Sequence, residues 1–307
     1  MNHIGELAGL ATAVLWALTS IFFGEAGKLI GSFFVNKIRL LFAVIIYSVV
    51  LLITTGQIIP VINMEQTFWL GLSGIIGLVI GDSFGFKAIV MIGPRLATLV
   101  YSSTPIMTIL IAWGMLSEKL GFWEIFGIVI TISGISWVVL ERKNRENRNL
   151  LYDNHPDKGS LKRGIVYGLI AAFCQAAGLV LAKKGMFDAG GVLEPMEASF
   201  IRILFSVIII WLISAVRGQL PNLLRSMKNY KALGFSAAGA VVGPFLGVWM
   251  SLVAVKYIST GVAATLNSMT PVMIIPLVIL YYKEKVSLRA LIGAIIAVVG
   301  VSILFLA

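Results

Sequence analysis

An all-α membrane protein, with ten transmembrane helices in two inverted five-helix repeats around a central cavity, is the fold this sequence predicts. Three observations predict it: a composition too apolar for a water-soluble globule, polar breaks that divide the chain into ten apolar runs, and a second half that echoes the first.

Of the 307 residues, 59% are hydrophobic and only 12% are charged. With a mean hydropathy of +0.97, the chain has too few polar side chains to cover a soluble domain. Each apolar run is long enough to cross a hydrocarbon core roughly 30 Å thick. The spans are expected near 6–26, 35–54, 67–90, 96–116, 121–140, 164–182, 199–216, 232–254, 260–281 and 287–306. The first run lacks a basic leading region and a convincing cleavage site, so it reads as a mature helix rather than a signal peptide. The net charge of +10 gathers at helix ends and in loops, which fits orientation in a bilayer and not nucleic-acid binding. A single cysteine, Cys174, rules out an intramolecular disulfide and a thiolate metal cluster. No zinc-binding His-Glu pattern, phosphate-cradling glycine loop or nucleophile elbow occurs, and His3 and His155 lie outside the spans. No metal, no cofactor and no enzyme chemistry is therefore expected.

The internal repeat limits the architecture most strongly. Shifting residues 69–140 by 166 positions lays Thr104-Pro105 on Thr270-Pro271, Ser102 on Ser268, Glu118-Lys119 on Glu284-Lys285, Gly127 on Gly293 and Gly134 on Gly300. The same shift lays Gly77 and Gly81 on Gly243 and Gly247, so the third and eighth spans correspond. Small residues every fourth position let helix backbones approach closely in lipid. Earlier in each half the shift shortens, pairing Arg39 with Arg202 at 163 and Trp16 with Gln175 at 159. Repeats over 1–140 and 164–307, joined by a polar linker over 141–163, each hold five spans. Two copies of an odd number of spans must enter the membrane in opposite orientations, and sites in such proteins commonly lie near the midplane between halves.

Two five-helix units, each with an Arg early in its second helix, a Thr-Pro in its fourth and a Glu-Lys before its fifth, resemble the EamA family of the drug/metabolite transporter superfamily. The resemblance rests on Arg39 and Arg202, Thr104-Pro105 and Thr270-Pro271, and Glu118-Lys119 and Glu284-Lys285. It implies a ten-helix basket with a central cavity, and secondary active or facilitated movement of metabolites such as amino acids. The partners expected are the lipid bilayer, a small-molecule substrate and protons as a coupling ion, with no nucleic acid. Competing readings are a membrane scaffold or sensor and a flippase for lipid-linked substrates.

With ten spans, 17 Lys and Arg residues fall on the side of the linker and 4 on the side of the termini. The positive-inside tendency then places the linker in the cytoplasm and both termini outside, in the cell membrane. The family resemblance implies the reverse.

Asp82 is the most unusual residue, a carboxylate deep in the third span beside Gly81 and Ser83. Ionisable groups at such depth face a cavity or a partner. It reads either as a proton-coupling or substrate-ammonium site, or as a structural acid paired with an Arg or Lys. Lys87 points about 140° away from Asp82 around the helix, and either snorkels to the headgroups or draws anions to the cavity. Arg39 and Arg202 repeat, which suits an architectural role or the binding of a substrate carboxylate. Trp16 and Gln175 occupy equivalent midpoints of the first and sixth spans, as packing groups or as a stacking surface and an amide for the substrate.

Tyr101, Ser102 and Asn267 lie just before Pro105 and Pro271. Each proline frees a carbonyl one turn earlier, for hydroxyls to satisfy or for a polar cavity wall. Pro244 suggests a bend or unwinding in the eighth span that the third span lacks. Glu118-Lys119 and Glu284-Lys285 read as interfacial charges in water or headgroups, with gating as the alternative.

Overall fold

A computed structural model describes residues 3–141, 158–188, 191–282 and 287–306. Most of the linker, with His155, and the Glu284-Lys285 pair lie outside the described residues. Among the described residues, ten helical segments are long and apolar enough to cross a membrane: Ile4–Ile30, Ser32–Thr55, Met64–Gly93, Leu96–Leu116, Phe122–Leu140, Leu161–Met186, Pro195–Val216, Tyr230–Tyr257, Thr260–Leu277 and Leu288–Leu306. They follow the expected spans, though several begin earlier or end later. Spans one and two meet at Gly31 and spans three and four at Gly93, whose φ values of 82° and 78° are open to glycine at little cost. The sixth span ends in a two-residue hairpin pairing Phe187 with Val192 and Asp188 with Gly191.

Four spans depart from regular α-helix, in two matched pairs. Spans four and nine are each broken, between Tyr101 and Thr104 and between Asn267 and Thr270. Pro105 and Pro271 occupy the first turn of the helices that resume at Thr104 and Thr270, where a missing N–H costs nothing. The Thr270 hydroxyl donates to the Asn267 carbonyl at 3.1 Å, satisfying the acceptor one turn before Pro271. The hydroxyl reading of this motif therefore has a direct counterpart in the second half.

Spans three and eight each contain a seven-residue π-helical stretch, Ile75–Gly81 and Val241–Gly247, separated by the same shift of 166 that relates the glycines. The expectation that Pro244 unwinds only the eighth span is thus incorrect. The wider π turn forms in the third span without a proline, the Asp82 N–H reaching back to the Gly77 carbonyl. That same carbonyl accepts a second bond from Gln175 Nε2 at 3.2 Å, so a side chain from the other half supports the distortion.

Packing is reciprocal between the halves. Span one lies along span eight, and span six along span three. In the latter contact a Cβ on Gly178 would come within 3.0 Å of Gly77 Cα, so two backbones touch directly. Spans five and ten pair closely as well. A Cβ on Gly134 would strike the backbone of Ala297 and the Gly293 carbonyl, and one on Gly127 would lie 3.0 Å from the Gly300 carbonyl. Apolar side chains on the outer faces, among them Trp113 at 65% and Val216 at 81% exposure, have lipid rather than water as their solvent.

Gly134→Val forces spans five and ten apart. The expected cost is about 1–3 kcal/mol, read as a lower midpoint in detergent-solubilised thermal unfolding, whereas Gly114→Val, which meets nothing within 4 Å, leaves the midpoint unchanged.

Candidate functional site

The third span ends at Gly93, which puts Asp82 about 16 Å from that end at 1.5 Å per residue, near half the depth of the hydrocarbon core. Its carboxylate is fully engaged. Oδ2 is ion-paired with Arg39 Nη2 from span two, and Oδ1 accepts from Gln175 Nε2 of span six at 2.8 Å. Arg39 Nε donates to Asn36 Oδ1 at 2.8 Å, and the guanidinium lies 5.4 Å from the Phe23 ring and 5.8 Å from that of Trp16. The Asp82 side chain is 15% exposed and that of Arg39 4%. A charge at such a place survives only with a partner and hydrogen bonds, and both are present.

Trp16 and Gln175 play parallel parts. A Cβ on Gly247 would lie 3.3 Å from Trp16 Nε1, and one on Gly81 would lie 3.3 Å from Gln175 Nε2. Each midpoint residue therefore rests on the last glycine of the opposite half's π stretch. Tyr101 turns its hydroxyl onto Gly85, one turn beyond Asp82, where a Cβ would collide with it. Its repeat counterpart Asn267 donates from Nδ2 to Ser251 Oγ at 2.9 Å, Ser251 being the counterpart of Gly85. Asn267 Oδ1 is buried without a partner. Ser102 is buried and donates to the Thr98 carbonyl at 3.1 Å.

Arg202 is buried and its Nε lacks a partner. A Cβ on Gly77 would stand 3.8 Å from its Nη2, one π turn before Asp82. Lys87 is outside this group: it is exposed, 5.3 Å from the Phe84 ring and 5.8 Å from that of Tyr167. Tyr47 and Asn36 joined no sequence reading. The Tyr47 hydroxyl donates to the Phe245 carbonyl at 2.8 Å inside the second π stretch, and its ring meets Phe245 edge-on at 4.8 Å. A phenol placed midway along an apolar span, needing a partner, is the signal that marks it.

A second polar cluster joins the halves at the membrane end nearer the termini. Glu118 accepts from the Thr260 N–H at 2.7 Å and from its hydroxyl at 2.8 Å, capping the helix of span nine. It also pairs with Lys183 at 2.8 Å, both side chains being 16% exposed, and Lys183 donates to the Ile258 carbonyl at 2.7 Å. The expectation of a Glu118 charge left to water or headgroups is corrected by these bonds: orphan N–H groups at a helix start draw a carboxylate in. Lys37 is buried in span two and donates to Gln219 Oε1 at 3.0 Å. No group of three His, Cys, Asp or Glu side chains that could hold a metal occurs among the described residues.

The profile of the EamA-like transporter family matches residues 3–140 and 162–306. A protein of Archaeoglobus fulgidus described as an uncharacterized transporter is 21% identical over 300 residues, covering 98% of this chain and 97% of its own length. A crystal structure of a protein with 15% sequence identity superposes with a TM-score of 0.75 over 98% of this chain and 96% of its own, a likeness of fold.

Glu118→Ala removes a cap and an ion pair together. It is expected to cost about 1–2 kcal/mol, seen as a lower thermal midpoint. Lys119→Ala at the exposed neighbouring position stays within about 0.5 kcal/mol of the parent.

Proposed function

We propose, since this chain belongs to the EamA-like transporter family of the drug/metabolite transporter superfamily and is a membrane transporter, that it exports or exchanges small polar or amphipathic metabolites by alternating access, with Asp82 as the group that couples a proton to the solute. The observation that carries this reading is the Asp82–Arg39–Gln175 cluster, bonded together at mid-depth between elements of both halves.

Asp82 is the one acid of the cluster, and around it stand Arg39 from span two, Gln175 and Cys174 from span six, Tyr101 from span four and Arg202 from span seven. A proton on Asp82 cancels its attraction for Arg39 and weakens its bond from Gln175, whose bond to the Gly77 carbonyl remains. The charge that holds span three to span two is thereby removed in one step. The π stretches and the broken fourth and ninth spans supply helix ends near the midplane that can reorient without exposing backbone to lipid.

The Glu118–Lys183–Thr260 cluster acts in this reading as the latch on the side of the termini. It joins the first half to spans six and nine, which must part before solute can leave that way. Opening costs the bonds of one carboxylate, a scale of a few kcal/mol that solute binding can offset.

Asp82→Asn in reconstituted vesicles is expected to reduce solute flux about tenfold or more, where tenfold corresponds to about 1.4 kcal/mol, and to remove its response to a pH gradient. Flux in that variant that keeps its full pH response takes Asp82 out of the mechanism.

A further inference from the structure

We propose that the central site takes oxyanionic solutes, carboxylates or phosphates, and that Arg202 is the residue that binds their anionic group. This rests on the transport reading, and it names the class of solute.

The charge balance at mid-depth is the first argument. Its charges are Arg39 and Arg202, both buried, and Asp82, whose side chain is 15% exposed. Arg39 and Asp82 cancel. Arg202 shares the field of that same Asp82 but has no carboxylate of its own, since the ion pairs among the described residues include none for it. Two buried guanidiniums to one carboxylate leave an excess positive charge that is costly to bury, and a guanidinium has no neutral form to retreat to.

The repeat says why the partner is missing. Arg39 and Arg202 are equivalent, each early in the second helix of its half, and the acid that neutralises Arg39 sits at Asp82. The equivalent position in the second half holds Val248, an apolar side chain that is itself buried. One half carries its own counter-ion. The other half carries none.

The surroundings suit an anionic solute. The guanidinium reaches toward Gly77, which has no side chain to block the approach. Elsewhere on spans one, four and nine, Thr19 Oγ1, Thr104 Oγ1 and Asn267 Oδ1 are buried polar atoms without partners. Neutral groups of this kind can engage the hydroxyls or amides of a small metabolite while the planar fork of Arg202 takes two oxygens of its carboxylate or phosphate. An ammonium solute fits less well, because both oxygens of Asp82 are already bound, to Arg39 and to Gln175.

The test is thermal unfolding of the full-length detergent-purified protein with succinate, inorganic phosphate, putrescine or glucose, at ionic strength held constant with chloride. A ligand that binds the folded state raises the midpoint. Succinate or phosphate is expected to raise it, with the stronger of the two identifying the head group. Arg202→Gln is expected to weaken that binding about tenfold or more, Arg202→Lys to retain part of it, and the unliganded Arg202→Gln protein to be as stable as the parent or more so, since an unpaired buried charge has gone. The proposal is overturned if only putrescine or glucose shifts the midpoint, if none of the four does, or if the anion shift survives Arg202→Gln. A fall in the unliganded midpoint of both variants assigns Arg202 to packing and overturns it as well. Vesicle flux of the same solutes separates the two readings. Anion binding without flux sinks transport and leaves the anion site standing, whereas flux confined to putrescine or glucose sustains transport and removes the anion site.

Discussion

The ion pair between Arg39 and Asp82 is the interaction on which the centre of this molecule turns. Two charges at the middle of a bilayer are tolerated only together and only with their remaining hydrogen bonds made. That demand fixes where span two stands against span three. It also recruits span six, because the second carboxylate oxygen is satisfied by Gln175, whose amide in turn supports the Gly77 carbonyl. One buried acid thus organises elements from both halves, and the packing of glycines around it follows from the closeness those bonds require.

The π stretches extend this logic. In lipid every N–H and C=O needs a partner inside the protein, so a helix can widen only where something else supplies the lost bond. In span three Gln175 does so from a neighbouring helix. In span eight the Tyr47 hydroxyl reaches the Phe245 carbonyl. The two halves therefore share a backbone irregularity and hold it by different side chains. Sequence symmetry is kept in the main chain, at the glycines, and given up in the groups that carry charge, as Asp82 against Val248 and Tyr101 against Asn267 illustrate.

Much of the fold was readable from apolar run length and from the shift of 166, because both follow from bilayer thickness and from backbone contact at glycine. The π register was not. It depends on a hydrogen bond to a residue about a hundred positions away, and neither Gly77 nor Gly81 differs in composition from an ordinary small-residue stripe. Asp82 stood out as a carboxylate in an apolar run, while its partner could not be chosen between Arg39, Arg202 and a lysine, since the choice depends on which helices meet. Glu118 shows the opposite difficulty. Placed between two spans it looks like a solvated charge, and only the start of a helix from the other half, at Thr260, reveals what it holds.

The glycine seam between spans five and ten bears on how the chain is assembled. Span five is made well before span ten, yet each offers the other a surface where backbone meets backbone, as at Gly134 with Ala297 and Gly300 with Thr131. During synthesis the groove on span five must wait, facing lipid, while five more spans are threaded into the membrane. Span ten then covers that groove, so translation that stops short of residue 288 leaves an open half-seam rather than a slightly smaller protein.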